Sequence, residues 1–345
     1  MEYSVSFPTG TVQYCFAGIK ELLKKAPADS SIIITDSNVA TLYQHVVASY
    51  RTIIIPAGEE HKTQQTIQSI TEQLLEFKAH KKTTIIGFGG GIVTDIAGYA
   101  ASIYMRGVPF SFVPTTLLAM VDAAVGGKNG VNFGLHKNML GTIRQPSFIL
   151  YDTALLHTLP DMEWSNGFAE IIKYACIFDA PLFAELATRI INFYKDDSAA
   201  LNELIQRCVN WKNKTVTEDE TENNVRKLLN FGHTAGHAIE TLYNLPHGQA
   251  ISLGMLVACS ISEKECGLSS DIRKQLSIVL QQYKLPTSLK LHTEQLMDIL
   301  VMDKKRNNNT IDYVVLSSIG SALIKPLPFE TIKTALDHFS DAGNS

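Results

Sequence analysis

The stretch Thr83-Thr84-Ile85-Ile86-Gly87-Phe88-Gly89-Gly90-Gly91-Ile92-Val93-Thr94-Asp95 decides the fold. Its first six residues are β-branched and apolar almost without a break, as strands buried on both faces of a parallel sheet tend to be. Three glycines then turn the chain into IVTDIAGYAASIY, residues 92–104, which opens like a helix. Glycine lets a backbone approach a pyrophosphate closely, and the first turn of a helix favours anionic oxygens. A tight strand-to-helix turn also occurs without a ligand, and the run is not the GxGxxG fingerprint. On its own it points to an α/β architecture more firmly than to a cofactor.

The same rhythm continues on either side. Residues 31–35 (SIIIT) and 52–56 (TIIIP) read as buried strands, and 110–113 and 148–151 as further ones. Between them, residues 63–77 carry Ile67, Ile70, Leu74 and Leu75 at helical spacing. Strand and helix in alternation predict a Rossmann-like α/β domain over residues 1–152. From 153 to 345 helical periods dominate, at 163–177, 181–194, 199–214, 234–242, 248–265 and 271–283. Segments 311–316 and 322–325 flank Ser-Ser-Ile-Gly-Ser as a hairpin. The expected fold is an α/β N-terminal Rossmann-like domain plus a mostly α-helical C-terminal domain, with the active site in the interdomain cleft. The acidic run 218–222 reads as a solvated loop.

A length of 345 residues favours two domains over one. Thirty basic against thirty-four acidic residues give a net charge of −4, which argues against a nucleic-acid or anionic-membrane partner and makes any phosphate site local. Cys15, Cys176, Cys208, Cys259 and Cys266 are scattered, odd in number and lack a CxxC pair. They fit a reducing compartment and argue against a disulfide framework or a thiolate zinc site. No apolar stretch follows a basic leader at MEYSVSFPTG, and the apolar segment 250–261 is too short to span a bilayer. The expectation is a cytoplasmic protein with no membrane partner.

Several polar clusters carry chemistry. Asp36 ends the first strand, where Rossmann-type folds often place a ribose-binding acid, although an aspartate there is also an ordinary cap. Pro114-Thr115-Thr116 follows a strand, Gly126-Gly127 delivers Lys128 after Asp122, and Lys137-Asn138 follows another glycine loop. Lysines on glycine loops suit a phosphate held by point charges and backbone amides. Glu170 and Lys173 lie on one helical face, a spacing more often seen in a surface ion pair. His233 and His237 are four apart and His247 follows ten residues later. Imidazoles near a carboxylate suit Zn²⁺, and by helical spacing alone His233 and His237 would be the pair.

Taken in order, Gly58-Glu59-x-x-Lys62, Gly89-Gly90-Gly91-x-x-x-Asp95, Tyr104-x-Arg106-Gly107, Pro114-Thr115-Thr116 through Asp122, Gly126-Gly127-Lys128, Lys137-Asn138, Leu159-Pro160, Ala169-Glu170-x-x-Lys173-Tyr174, Arg226-x-x-Leu229-Asn230-x-Gly232-His233-x-x-Gly236-His237 and His247-Gly248 resemble the 3-dehydroquinate synthase family. The resemblance covers about residues 36 to 305. It implies an NAD- and Zn²⁺-dependent (or Co²⁺-dependent) lyase that converts 3-deoxy-D-arabino-heptulosonate 7-phosphate, a small sugar acid phosphate, to 3-dehydroquinate and phosphate. That reaction belongs to the shikimate pathway of aromatic amino acid biosynthesis.

By that resemblance Asp36, Asn38, Glu59 and Lys62 hold the adenosine half of NAD, and Gly90, Gly91, Ile92 and Asp95 the pyrophosphate and ribose. Thr115, Thr116, Leu155, Thr158 and Leu159 complete the dinucleotide site. Glu170, His233 and His247 bind the metal, while His237 becomes a polar group beside the substrate. Asp122, Lys173, Lys212, Arg226 and Asn230 bind substrate hydroxyls and carboxylate. Lys128, Lys137 and Asn138 lie around the phosphate and the nicotinamide. Arg106 reaches the phosphate of the partner subunit's site, which implies a homodimer. A lysine pair, Lys304-Lys305, offers one more phosphate contact. Three positions depart from the family pattern: Thr94 replaces a common glycine, Asn129 a threonine and Gln249 a glutamate. Neighbouring readings are another sugar-phosphate cyclase, whose substrate lacks the carboxylate, and a polyol dehydrogenase of the glycerol dehydrogenase type, which needs no phosphate set. A catalytically dead NAD-binding scaffold is opposed by the intact ligand trio.

Overall fold

The strands are, in chain order, β1 (Glu2–Phe7), β2 (Gly10–Phe16), β3 (Ser31–Asp36), β4 (Arg51–Ile55), β5 (Thr84–Gly89), β6 (Phe110–Pro114), β7 (Lys128–Phe133), β8 (His136–Ile143), β9 (Phe148–Tyr151), β10 (Thr310–Ser318) and β11 (Ser321–Pro328). They come from a computed structural model that describes residues 1–134, 136–304 and 310–342. Lys305 lies outside the described residues. The chain divides into two compact units, Met1–Glu163 with Ser198–Thr221, and Trp164–Asp197 with Glu222 onward.

The first unit is built on a seven-stranded sheet in the order β1-β2-β9-β6-β5-β3-β4. All pairs are parallel except the β1–β2 hairpin. Of the runs that read as buried strands, 52–56 forms the edge strand β4, where Ile54 is exposed, and the others lie inside the sheet; Ile32, Ile33, Ile34, Ile85 and Ile86 have no exposed surface. Such apolar runs fit only between two covering layers. The β1–β2 hairpin escaped the sequence reading because β1 alternates exposed and half-buried residues and β2 mixes buried Val12, Tyr14 and Cys15 with polar neighbours. The β7–β8 ribbon also escaped it, and β8 is almost wholly exposed.

The helix Ser198–Glu218 belongs to this unit, whereas the sequence reading placed it with the C-terminal segment. Tyr14 donates its hydroxyl to Asn213 Oδ1 (2.6 Å), and Lys212 donates to the Asp122 carbonyl (2.7 Å). The expectation of a solvated acidic loop fails here. Asp219 and Glu220 are buried, and Glu220 accepts from the backbone N–H and hydroxyl of Thr9 (3.1 and 2.5 Å) and from Gln145 Nε2 (2.8 Å). Three donors compensate its desolvation, which is what a buried carboxylate requires.

The second unit is mostly helical, with the antiparallel β10–β11 hairpin as its sheet. Its core helix, His247–Cys266, buries nearly every residue between Ala250 and Ser262. The helix read over 181–194 is two helices, Ala180–Leu186 and Ile191–Asp196, with Ile190 extended between them. Gln282 Nε2 donates to the carbonyls of Leu186 (3.2 Å) and Arg189, and the Tyr283 hydroxyl to Leu186 (3.3 Å). These donors satisfy carbonyls that a continuous helix would have used itself, so the break costs little. No helix among the described residues is long and apolar enough to cross a membrane.

Candidate active site

In the first unit β5 runs into Gly89 and Gly90, and the helix Gly91–Ile103 starts with no side-chain cap. The N–H groups of its first turn and the helix dipole are thus offered to an anion. A Cβ on Gly90 would come 3.0 Å from Thr116 Cγ2, and one on Gly89 would come 2.6 Å from Val93. The glycines keep a cradle open, which is the observation that fits a dinucleotide pyrophosphate. Thr115 is buried and its N–H binds the Gly89 carbonyl (2.9 Å). Thr116 Oγ1 accepts from the N–H of Ala119 (3.1 Å).

Asp36 caps the helix Ser37–Leu42, accepting from Asn38 and Val39 N–H (both 2.9 Å) through Oδ1, and Asn38 is exposed. Glu59 opens a short 3₁₀ turn after Gly58, whose φ of 122° suits only glycine. Lys62 is buried and donates 2.6 Å bonds to both Asp95 Oδ2 and Asn138 Oδ1. Burial pushes the Asp95 carboxyl up and the Lys62 ammonium pulls it back. Leu155 is buried, and its carbonyl and the Thr158 hydroxyl both meet the Tyr43 hydroxyl (2.8 and 2.7 Å). Ile92 and Leu159 are half-buried.

Asp122 sits in a π turn, Ala119–Ala123, an irregular helix form that often accompanies function. Lys212 binds its carboxylate (Oδ1, 2.9 Å) as well as its carbonyl. Lys128, Lys137 and Asn138 are exposed on the β7–β8 ribbon, Asn138 with φ 53°. Arg106 is exposed in a turn where it and Met105 are both left-handed (φ 61° and 49°), a strained pair for non-glycine residues. Lys81 Nζ holds that turn through the Met105 carbonyl (2.7 Å).

In the second unit Glu170 and Lys173, expected by spacing to be a surface pair, are both fully buried and in direct ionic contact through Glu170 Oε2. The other oxygen, Oε1, lies 3.5 Å from His233 Nε2 and 3.3 Å from His247 Nε2. His233 Nδ1 faces the Phe231 carbonyl (3.1 Å) and His247 Nδ1 the Glu240 carboxylate (3.3 Å). Both partners are acceptors, so each Nδ1 carries a proton, and each Nε2 is the atom that a metal would take, with loss of any proton it holds. Two donors each about 2.1 Å from a tetrahedral zinc stand about 3.4 Å apart, so the trio fits one such ion.

Burial and Lys173 hold His233 well below the usual imidazole range, which keeps it a neutral donor. Burial opposes ionisation of Glu170, but Lys173 and the two histidines overcome it and the carboxyl stays well below its ordinary value. For His247 burial is likewise outweighed, by Glu170 and Glu240, and its pKa rises to about 9.

His237 is exposed, its ring 5.1 Å from that of His233, and with Glu240 and His247 it forms a second group of possible ligands. The sequence reading missed Glu240. Its signal was available: it lies seven residues after His233 on the same helix, His233–Tyr243. Arg226 is 1% exposed, and Asn230 Nδ2 donates to Glu222 (2.7 Å). Two departures from the family pattern are absorbed locally. Thr94 Oγ1 donates to the Gly91 carbonyl (2.9 Å). Asn129 Nδ2 bridges the Gly127 and Arg144 carbonyls (2.8 and 3.0 Å), in space that a Cβ on Gly98 would fill. Gln249 is half-buried near the start of the helix His247–Cys266.

The chain combines an α/β sheet carrying a glycine turn with a helical unit holding a carboxylate–imidazole trio, and it shares this fold with sugar-phosphate cyclases. A 2-deoxy-scyllo-inosose synthase solved with carbaglucose-6-phosphate, NAD⁺ and Co²⁺ superposes with a TM-score of 0.87 at 25% identity, covering 98% of this chain and all of that one. A 2-epi-5-epi-valiolone synthase from Streptomyces hygroscopicus, solved with NAD⁺ and Zn²⁺, gives 0.87 at 27% identity, covering 99% and 98% of the two chains. The 3-dehydroquinate synthase N-terminal pattern matches residues 52–166 and the C-terminal pattern residues 167–306. A 3-dehydroquinate synthase of Nitrosomonas europaea is 38% identical over 328 residues, 91% of this chain and 88% of the relative. The chain belongs to the 3-dehydroquinate synthase family.

Proposed function

We propose that the protein is a 3-dehydroquinate synthase, releasing phosphate from 3-deoxy-D-arabino-heptulosonate 7-phosphate and closing the carbocycle of 3-dehydroquinate. The observation that carries this reading is the buried Glu170 carboxylate with two imidazole Nε2 atoms 3.3 and 3.5 Å from one oxygen, in a chain of this family. When bound, NAD⁺ supplies a hydride acceptor and Zn²⁺ or Co²⁺ a Lewis acid for the substrate's C5 oxygen. Once C5 is a ketone the adjacent C–H is acidic, phosphate leaves by β-elimination, and re-reduction, ring opening and an intramolecular aldol addition follow.

The chain's residues divide this work. Glu170, His233 and His247 hold the metal, with Lys173 neutralising the second carboxylate oxygen. Asp36, Asn38, Glu59 and Lys62 bind the adenosine half of NAD. Gly90, Gly91, Ile92 and Asp95 receive the pyrophosphate and its ribose, and Thr115, Thr116, Leu155, Thr158 and Leu159 line the rest. Arg226 takes the substrate carboxylate as a bidentate fork. Asp122, Lys212, Asn230, Lys173 and His237 orient hydroxyls and exchange protons with them. Lys128, Lys137 and Asn138 steady the phosphate and the nicotinamide. The five cysteines, none of them in a disulfide, suit the reducing cytoplasm, where we place the enzyme.

We further propose a homodimer in which Arg106 serves the partner's substrate phosphate, supported by the strained, exposed turn that presents it. Mixing two inactive variants, Arg106→Ala and His233→Ala, under subunit exchange tests both assignments. Half of randomly mixed dimers are mixed, each with one intact site, so roughly a quarter of wild-type activity returns. If Arg106 acts within its own chain, every site keeps one lesion and no activity returns. Separately, a chelator abolishes activity and Zn²⁺ or Co²⁺ restores it; activity unaffected by thorough chelation would contradict the metal reading.

A further inference from the structure

Asn132 belongs to none of the motifs above, yet residues from both the dinucleotide and the phosphate sets meet through it. It lies in β7 at the point where the β7–β8 register shifts, between Val131 and Phe133. Its backbone N–H donates to the Lys62 carbonyl (2.8 Å), and it bridges to Thr63 in parallel, so β7 is fastened to the turn that carries Glu59 and Lys62. Its side chain is a fork. Nδ2 donates to Glu59 Oε1 and Oδ1 accepts the backbone N–H of Asn138, each at 2.8 Å.

A carboxylate can only accept and a backbone N–H can only donate, so these partners fix which end of the amide is which. Aspartate could not donate to Glu59, and leucine could do neither. Asn138 is therefore gripped twice, on its backbone by Asn132 and on its side chain by Lys62, whose Nζ also holds Asp95 (2.6 Å). These two bonds hold Asn138 in a left-handed conformation that few side chains adopt readily.

We infer that Asn132 is a positioning residue that couples dinucleotide binding to phosphate binding, by tying Glu59 to Asn138. The inference rests on the dinucleotide and phosphate roles proposed above. A dinucleotide engaging Glu59 and Lys62 fixes their turn and, through Asn132, the backbone of Asn138. A phosphate engaging Asn138 fixes the turn in return, and such linkage is reciprocal.

The test is calorimetric titration of the full-length, metal-loaded protein with NAD⁺, with and without saturating inorganic phosphate. Wild type is compared with Asn132→Asp and Asn132→Leu, and thermal melts establish that each variant is folded. In wild type, phosphate tightens NAD⁺ about fivefold, the low end of ordinary coupling between sites. In both variants the factor drops below about twofold, because the tie from Glu59 to the backbone of Asn138 is cut and the Lys62–Asn138 bond is left without it. Asn132→Asp keeps the acceptor for Asn138 but sets a second carboxylate against Glu59, so it weakens NAD⁺ more than phosphate; Asn132→Leu weakens both. Undiminished coupling in a folded variant overturns the inference, as does wild type that binds NAD⁺ without any response to phosphate. Wild type that binds no NAD⁺ overturns the dinucleotide reading itself. If the leucine variant does not fold, the aspartate variant decides.

Discussion

Around Gly89-Gly90-Gly91 the groups offered to a ligand are main-chain N–H groups, and what the sequence supplies there is the absence of side chains. Around Glu170 the working atoms are side-chain oxygens and nitrogens already aimed at one another, the carboxylate buried and the two imidazoles partly so. The first arrangement is damaged by adding atoms and the second by removing them. The second also depends on partners such as Glu240, which fix ring orientation from outside the ligand trio.

The largest effect expected from this contrast is at the trio. His233→Ala removes one of the three proposed ligands, and metal analysis of the purified protein should fall from one ion per chain to none. His237→Ala should retain stoichiometric metal. Loss of the ion from His237→Ala would shift the centre to the second group, His237, Glu240 and His247. Next is Glu240→Ala, which leaves all three ligands but frees the His247 ring. Removal of such an orienting carboxylate costs about 10–100-fold in metal affinity, measurable by competition with a chromogenic chelator. An unchanged affinity would mean that the trio is fixed without it.

Arg226→Lys comes third. Replacing a buried planar fork by a point charge forfeits roughly 1.5–3 kcal/mol, about tenfold or more in the Michaelis constant. An unchanged constant would favour a cyclase whose substrate lacks a carboxylate. The smallest effect belongs to the glycine turn. Gly90→Ala brings a Cβ to 3.0 Å from Thr116 Cγ2, so the threonine must give by a few tenths of an ångström. Overpacking of that size costs about 1 kcal/mol, and NAD⁺ should bind about fivefold more weakly while metal content stays intact. Equal loss of metal would show that the two halves are not separable in this way.

The same contrast explains what the sequence disclosed. Central strands β3, β5 and β6 were legible because they are apolar throughout, and burial on both faces demands that. The β1–β2 hairpin and β8 were not, because a half-covered strand retains polar residues on its free face. A helical period ran unbroken through residues 181–194, while the chain breaks there because Gln282 and Tyr283, almost a hundred residues later, take its carbonyls. Glu220 looked like part of a solvated run, and only the fold brings Thr9 and Gln145 to it. At the metal trio local spacing favoured His237. Glu170 and His247 are 77 residues apart, so their meeting is a property of packing, and it was the family resemblance that named the pair.

The central claim is that NAD⁺ and the metal serve one reaction in which the dinucleotide is regenerated at each turnover. It is tested most directly by supplying 3-deoxy-D-arabino-heptulosonate 7-phosphate to the zinc-loaded protein with NAD⁺ well below the substrate concentration. Released phosphate and the absorbance of reduced dinucleotide are followed together. The account predicts phosphate release over many turnovers per NAD⁺ with that absorbance flat at steady state. Reduced dinucleotide accumulating in step with product, or no phosphate release from this substrate, would contradict it.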